Sequence, residues 1–104
     1  MSSSQERQFT GVFENVSAGT AALTPAAVAA DTTSESTVNV PGCAVGDIVL
    51  LSCNASIGTL LMQGEVQAPG VVTIKFANVS AGAVTPPAAN YTAICLNPNN
   101  VMFT

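Results

Sequence analysis

Three cysteines, Cys43, Cys53 and Cys95, are the most reactive side chains in this chain of 104 residues, which contains neither histidine nor tryptophan. A thiolate can bind zinc or act as a nucleophile when a nearby base or metal lowers its pKa, and histidine is the usual companion in both roles. The three cysteines form no C-x-x-C pair, and no acidic cluster accompanies them to complete a zinc tetrahedron. Cys53 and Cys95 lie in the apolar runs "IVLLSC" and "YTAICL" and read as small buried hydrophobes. An odd count argues against a full disulfide framework and leaves a single bridge open.

The charged residues offer little more. Asp47 stands in "VGD", where a carboxylate accepting backbone N–H bonds in a turn is the simpler reading than a catalytic one. Glu65 and Lys75 read as an exposed ion pair, which contributes little. Four N-x-[ST] sequons, at Asn15, Asn54, Asn78 and Asn90, follow from the abundance of Asn, Ser and Thr, and we assign them no glycan. The expectation is therefore a non-enzymatic protein with no catalytic, cofactor-binding or metal-binding residue and no cofactor.

With so little to position, the elements must serve another purpose, and composition indicates which. Hydrophobic residues make up 48% of the chain and charged residues 8%, against about 25% charged in an average soluble domain. From Ser36 to Thr104 the only charges are Asp47, Glu65 and Lys75. Charge is what normally keeps proteins apart in solution. Permanent association with copies of itself or with a larger assembly is the simpler account of such a surface, because obligate interfaces resemble cut cores.

Other classes are disfavoured on similar grounds. A net charge of −4 with two basic residues cannot neutralise many phosphates, so nucleic acid is not an expected partner. The same acidity opposes attraction to anionic lipid. The uncharged run 76–104 is interrupted by Pro86, Pro87, Pro98 and five asparagines, which breaks any apolar stretch of about 20 residues. The start "MSSSQERQF" lacks the apolar centre of a signal peptide, so synthesis in a cytoplasm and retention there until assembly or lysis is expected.

A length of 104 residues fits one core. Residues 1–8 read as a flexible N-terminal arm and 9–104 as a single β domain. Residues 9–16, "FTGVFENV", suit a strand. Residues 17–36 leave two readings open: a short helix capped by Thr24 with Pro25 in its first turn, or an extended arm. From Thr37 onward the pattern is β throughout. "TVNV" alternates, "VPG" supplies a type II turn, "VGD" punctuates again, and "IVLLSC" at 48–53 reads as a buried strand. "YTAICL" at 91–96 and "VMFT" at 101–104 complete about seven short strands of an antiparallel β-sandwich or barrel.

The clearest hairpin joins "LLMQGEVQ" at 60–67 to "VVTIKFA" at 71–77. Pairing Val66 with Val72 places Leu60, Met62, Gly64 and Val66 on one face with Val72, Ile74 and Phe76. Gln63, Glu65, Thr73 and Lys75 then share the opposite, exposed face, with Glu65 and Lys75 diagonally within reach.

One phrase occurs twice. "NVSAG" follows a phenylalanine-bearing segment at 15–19 and again at 78–82, and six of seven positions match between Phe13 to Gly19 and Phe76 to Gly82. An Asn followed by Gly suits a turn, so both copies are expected to be strand exits, one device used at two corners of a pseudo-symmetric sheet.

Two stretches, "AADTTSESTVNVPGCAVGDIVLLS" and "GEVQAPGVVTIKFANVSAGAVTPPAANYTAICL", resemble a pattern found in small virion proteins of tailed bacteriophages. It runs from an Ala/Thr-rich lead-in through V-P-G, V-G-D and a hydrophobic strand to a V-x-A-x-G-x-V-T-[IV]-[KR]-F hairpin and N-[VT]-[ST]-A-G-A. The resemblance covers residues 29–96, departing in the cysteines and in the link "ASIGTLLMQGEV". Some such modules resemble capsid decoration (cement) proteins, and others are appended to tail fibres or have no known role. The resemblance implies a homo-oligomer, a trimer, bound to the major capsid protein on the outside of the virion. Its alternative is a tail-fibre or receptor-binding module that recognises a host surface ligand, a role that favours exposed aromatics, of which this chain has few.

Overall fold

The computed structural model describes residues 13–98. The expected arm at 1–8 and the strand expected at 101–104 lie outside these residues. The described chain is all β, with six strands: β1 Phe13–Leu23, β2 Thr32–Asn39, β3 Ile48–Cys53, β4 Leu61–Ala68, β5 Val71–Asn78 and β6 Ala89–Pro98. They form two antiparallel three-stranded sheets, ordered β1-β6-β3 and β2-β5-β4. The chain changes sheet at every connection except the β4–β5 hairpin, which gives a sandwich.

The sheets meet through their inward rows. Val38, Val66, Val72, Ile74 and Phe76 from one sheet face Tyr91, Ala93 and Cys95 from the other, all buried. Two glycines allow the layers to come close. A Cβ on Gly64 of β4 would sit 2.6 Å from Val49 Cγ1, and one on Gly19 of β1 would sit 2.2 Å from the Asn39 carbonyl oxygen at the end of β2. β1 therefore lies over β2, and β3 over β4.

The hairpin has the register that alternation favours: Met62 opposite Phe76, Gly64 opposite Ile74 and Val66 opposite Val72, with a bulge before Ala68. Thr73, expected on an exposed face, is buried at 5% exposure; its neighbours Thr37 on β2 and Glu65 on β4 flank it from both sides. The turn at residues 40–43 closes with Cys43 N–H donating to the Val40 carbonyl at 3.1 Å, and Gly42 takes a φ of 94° that few other residues tolerate.

Two further expectations are corrected, and one open reading is decided. The first "NVSAG" is not a strand exit: residues 15–19 run through the middle of β1 and pair with β6 from Asn97 to Ala93. The second copy does end a strand, so the two form no symmetric device. β5 stops at Asn78 because its partners run out there, with Thr32 of β2 opposite Asn78 and Leu61 of β4 opposite Ala77. Pro86 and Pro87 then lack the N–H groups to extend a ladder. β1 instead finds the whole free edge of β6 and continues to Leu23, two residues before Pro25.

Of the two readings open for residues 17–36, the helix after Thr24 does not form: residues 17–23 belong to β1 and 32–36 to β2, and Val28 between them is 1% exposed. Val28 and Val84 exchange backbone hydrogen bonds at 2.8 and 3.0 Å, which gives the segment the partners a short helix would lack. The other correction concerns "IVLLSC". Only Val49, Leu51 and Cys53 turn toward the core, while Ile48 and Leu50 remain 46% and 53% exposed.

Candidate interaction surface

The residues with chemical potential are dispersed over the sandwich. Asp47 is tied into its own turn: its carboxylate accepts the Ala44 N–H and the Asn97 side-chain amide, each at 3.0 Å. Glu65 and Lys75 pair at 2.7 Å on the outer face of the β2-β5-β4 sheet, and Glu35 approaches the same ammonium at 4.0 Å. The hydrogen bond from Lys75 holds the Glu65 carboxyl below the usual range, and Glu65 in turn raises Lys75. Both are well exposed, so this is a solvated, charged face rather than a catalytic pair.

The cysteines are separated by role. Cys43 and Cys95 are buried in the core, while Cys53 is half-buried opposite Tyr91. Burial pushes the Cys95 thiol up to about 11, with the neighbouring Cys43 thiol adding to the shift. A thiol held neutral in this way is a poor nucleophile. Among the described residues, no three His, Cys, Asp or Glu side chains come close enough to hold a metal ion.

Asn78 is the most committed polar residue. Its amide nitrogen donates to the Val28 carbonyl at 2.8 Å and the Gly82 carbonyl at 2.9 Å, and its oxygen accepts the Ser80 N–H at 2.9 Å and the Ser80 hydroxyl at 2.6 Å. A buried amide with this set of bonds fixes the loop after β5. The sequon asparagines Asn54 and Asn90 also bond to each other, Asn90 N–H donating to Asn54 Oδ1 at 3.0 Å and Asn54 N–H to the Asn90 carbonyl at 3.2 Å. They border a groove of about 350 Å³ that Leu23 and Ala89 also line.

The outward face of the β1-β6-β3 sheet differs from everything above. The register sets Val16, Leu96 and Ile48 side by side across the three strands, then Ala18, Ile94 and Leu50, then Thr20, Thr92 and Ser52. The first two rows are wholly apolar, and Thr20 and Thr92 join their hydroxyls at 2.8 Å in the third. No residue in these rows carries a charge. This surface was not anticipated, although the unbroken apolar run of β3 is the signal that could have exposed it: such runs belong to strands covered on both sides.

Comparison with known protein families, with curated proteins and with solved structures finds no match.

Proposed function

We propose that this chain is a structural virion protein of the capsid decoration type, which binds the outside of a tailed-phage head as a homo-oligomer, a trimer, and clamps neighbouring major capsid subunits. The observation that carries this reading is the asymmetry of the sandwich. One sheet presents Glu35, Lys75 and Glu65 to solvent, while the other presents two rows of apolar side chains without a charge. A domain with that surface serves by being covered. The pattern shared with small phage virion proteins over residues 29–96 supports the choice of assembly. The role requires no chemistry, no nucleic acid and no membrane.

The test is direct. Purified protein mixed with heads that lack it should co-sediment with them, saturate at hundreds of copies and raise the temperature at which the heads rupture. Failure to bind any head surface would remove the reading. A stoichiometry of a few to a few dozen per virion would assign the chain to a tail component instead.

A further inference from the structure

We propose that the outer face of the β1-β6-β3 sheet is where one copy of this chain packs against a second copy, an inference that deepens the assembly role above and rests on it. The face carries six apolar residues in register, Val16, Leu96 and Ile48 in one row and Ala18, Ile94 and Leu50 in the next. Val16, Ile48 and Leu50 are 47%, 46% and 53% exposed. A sheet that meets water on one side alternates apolar and polar side chains. Residues 48–51 of β3 and 93–96 of β6 alternate instead between two apolar sets, as strands do when a second layer covers them.

Charge and size select the occupant. Among the described residues Asp31, Glu35, Glu65 and Lys75 belong to the β2-β5-β4 sheet or to the turn that enters it. Asp47, just before β3, is occupied by Ala44 and Asn97, and Glu14 sits at the β1 bulge beyond the first row. The chain carries a net charge of −4, so copies that met through the charged sheet would bring Glu35 and Glu65 against their own likenesses. Copies that meet through the uncharged face bring no like charges together. Identical patches on both partners form an isologous contact, which pairs two copies about a two-fold axis and is distinct from the heterologous contact that closes a trimer.

With strands about 4.8 Å apart and rows about 7 Å apart, the face measures roughly 15 by 20 Å. Residues 1–12 and 99–104 join the sheet at Phe13 and Pro98, at the end of this same face. Residues 99–104 laid across it would cover about one strand's width in three, and residues 1–12 are mostly polar and include Glu6 and Arg7. An uncharged, sheet-sized surface is needed, and the same face of a second copy is one, packing at about 10 Å. The two apolar rows project about 200 Å², the apolar centre of an interface and not the ~800 Å² per partner of a standard one, so association should depend on concentration.

The test measures mass by sedimentation and light scattering on the full chain from low to high micromolar concentration. The wild-type mass should rise above the monomer. Leu50→Glu and Val16→Lys should stay monomeric with unchanged circular dichroism, while Gln63→Glu, on the other sheet, should behave as wild type. Should a charge prevent folding, Val16→Thr keeps the shape and should weaken association about tenfold. A wild-type chain that remains monomeric at hundreds of micromolar overturns the inference, as do face variants that still assemble. A monomeric wild type whose Leu50→Glu variant melts far lower also overturns it, because the chain's own terminal residues would then be the cover. Head binding is scored separately on the wild-type chain, so the loss of that reading and the loss of this one are told apart.

Discussion

The rings of Phe76 and Tyr91 meet edge to face across the sandwich, their centroids 5.8 Å apart and their planes 81° apart. This geometry suits the aromatic quadrupole and joins the central strand of each sheet, β5 to β6. Tyr91 also sends its hydroxyl to the Pro87 carbonyl at 2.8 Å, so a core ring anchors the loop that follows β5.

Phe76→Ala removes one half of that pair and leaves a cavity among fully buried neighbours. The expected cost is ~3–5 kcal/mol, a large share of a small domain's stability. Lys75→Ala, one residue earlier, should change stability little, since its partner Glu65 is well exposed. Urea denaturation of both variants checks the contrast, and a Phe76→Ala protein with wild-type stability would contradict the core described here.

The two glycines of the repeated phrase should answer the same substitution differently. A Cβ at Gly19 would sit 2.2 Å from a backbone oxygen that cannot swing aside, whereas one at Gly82 would meet nothing within 4 Å. Gly19→Ala should destabilise by about 2 kcal/mol or more through overpacking. Gly82→Ala should stay within about 0.5 kcal/mol of wild type. Thermal melts run side by side read the difference.

Asn78→Ala should cost about 1–3 kcal/mol, because it removes a buried amide that serves the Val28 and Gly82 carbonyls and both polar groups of Ser80. Asn78→Asp should be worse despite its similar shape: both donors are lost, and a carboxylate would face two carbonyl oxygens. Hydrogen exchange should show the effect concentrated at Val28, Val84 and the loop between β5 and β6.

Alkaline pH should loosen the fold. Burial raises the Tyr91 phenol from 10.0 to about 12, aided by the Cys53 thiol, and raises Cys95 from 9.0 to about 11. Both groups keep their protons in the folded chain at a pH where the unfolded chain releases them. The unfolded state then binds fewer protons, so stability falls as pH rises. Stability should be level below about 9 and decline between about 9 and 12. Denaturation midpoints across that range test it, and Cys95→Ala should delay the onset toward 10, where Tyr91 begins to matter.

Much of the fold was legible because it is written in local rules. The β4–β5 register follows from alternation alone, since slipping by one residue would set Glu65 against Ile74. The turns at residues 40–43 and 44–47 follow from Gly42 and Gly46, whose φ values of 94° and 98° few other residues accept. Asp47 was readable as a turn carboxylate for the same reason, its ligand being an amide three residues away.

The candidate surface was not legible, because it is assembled from distant segments. Val16, Leu96 and Ile48 become neighbours only when β6 takes the central place between β1 and β3, a choice among strand orders that no short window contains. The repeated phrase shows the limit most plainly. By itself the sequence determined that the chain is β from Thr37 onward, that its charges are too few to cover it, and that each "NVSAG" has a backbone able to bend. Tertiary structure alone decided that one copy bends and the other runs straight: at residues 15–19 the open edge of β6 offers a hydrogen-bonding partner for the backbone, and at Asn78 both neighbouring strands have ended, leaving the side chain to bond the loop itself.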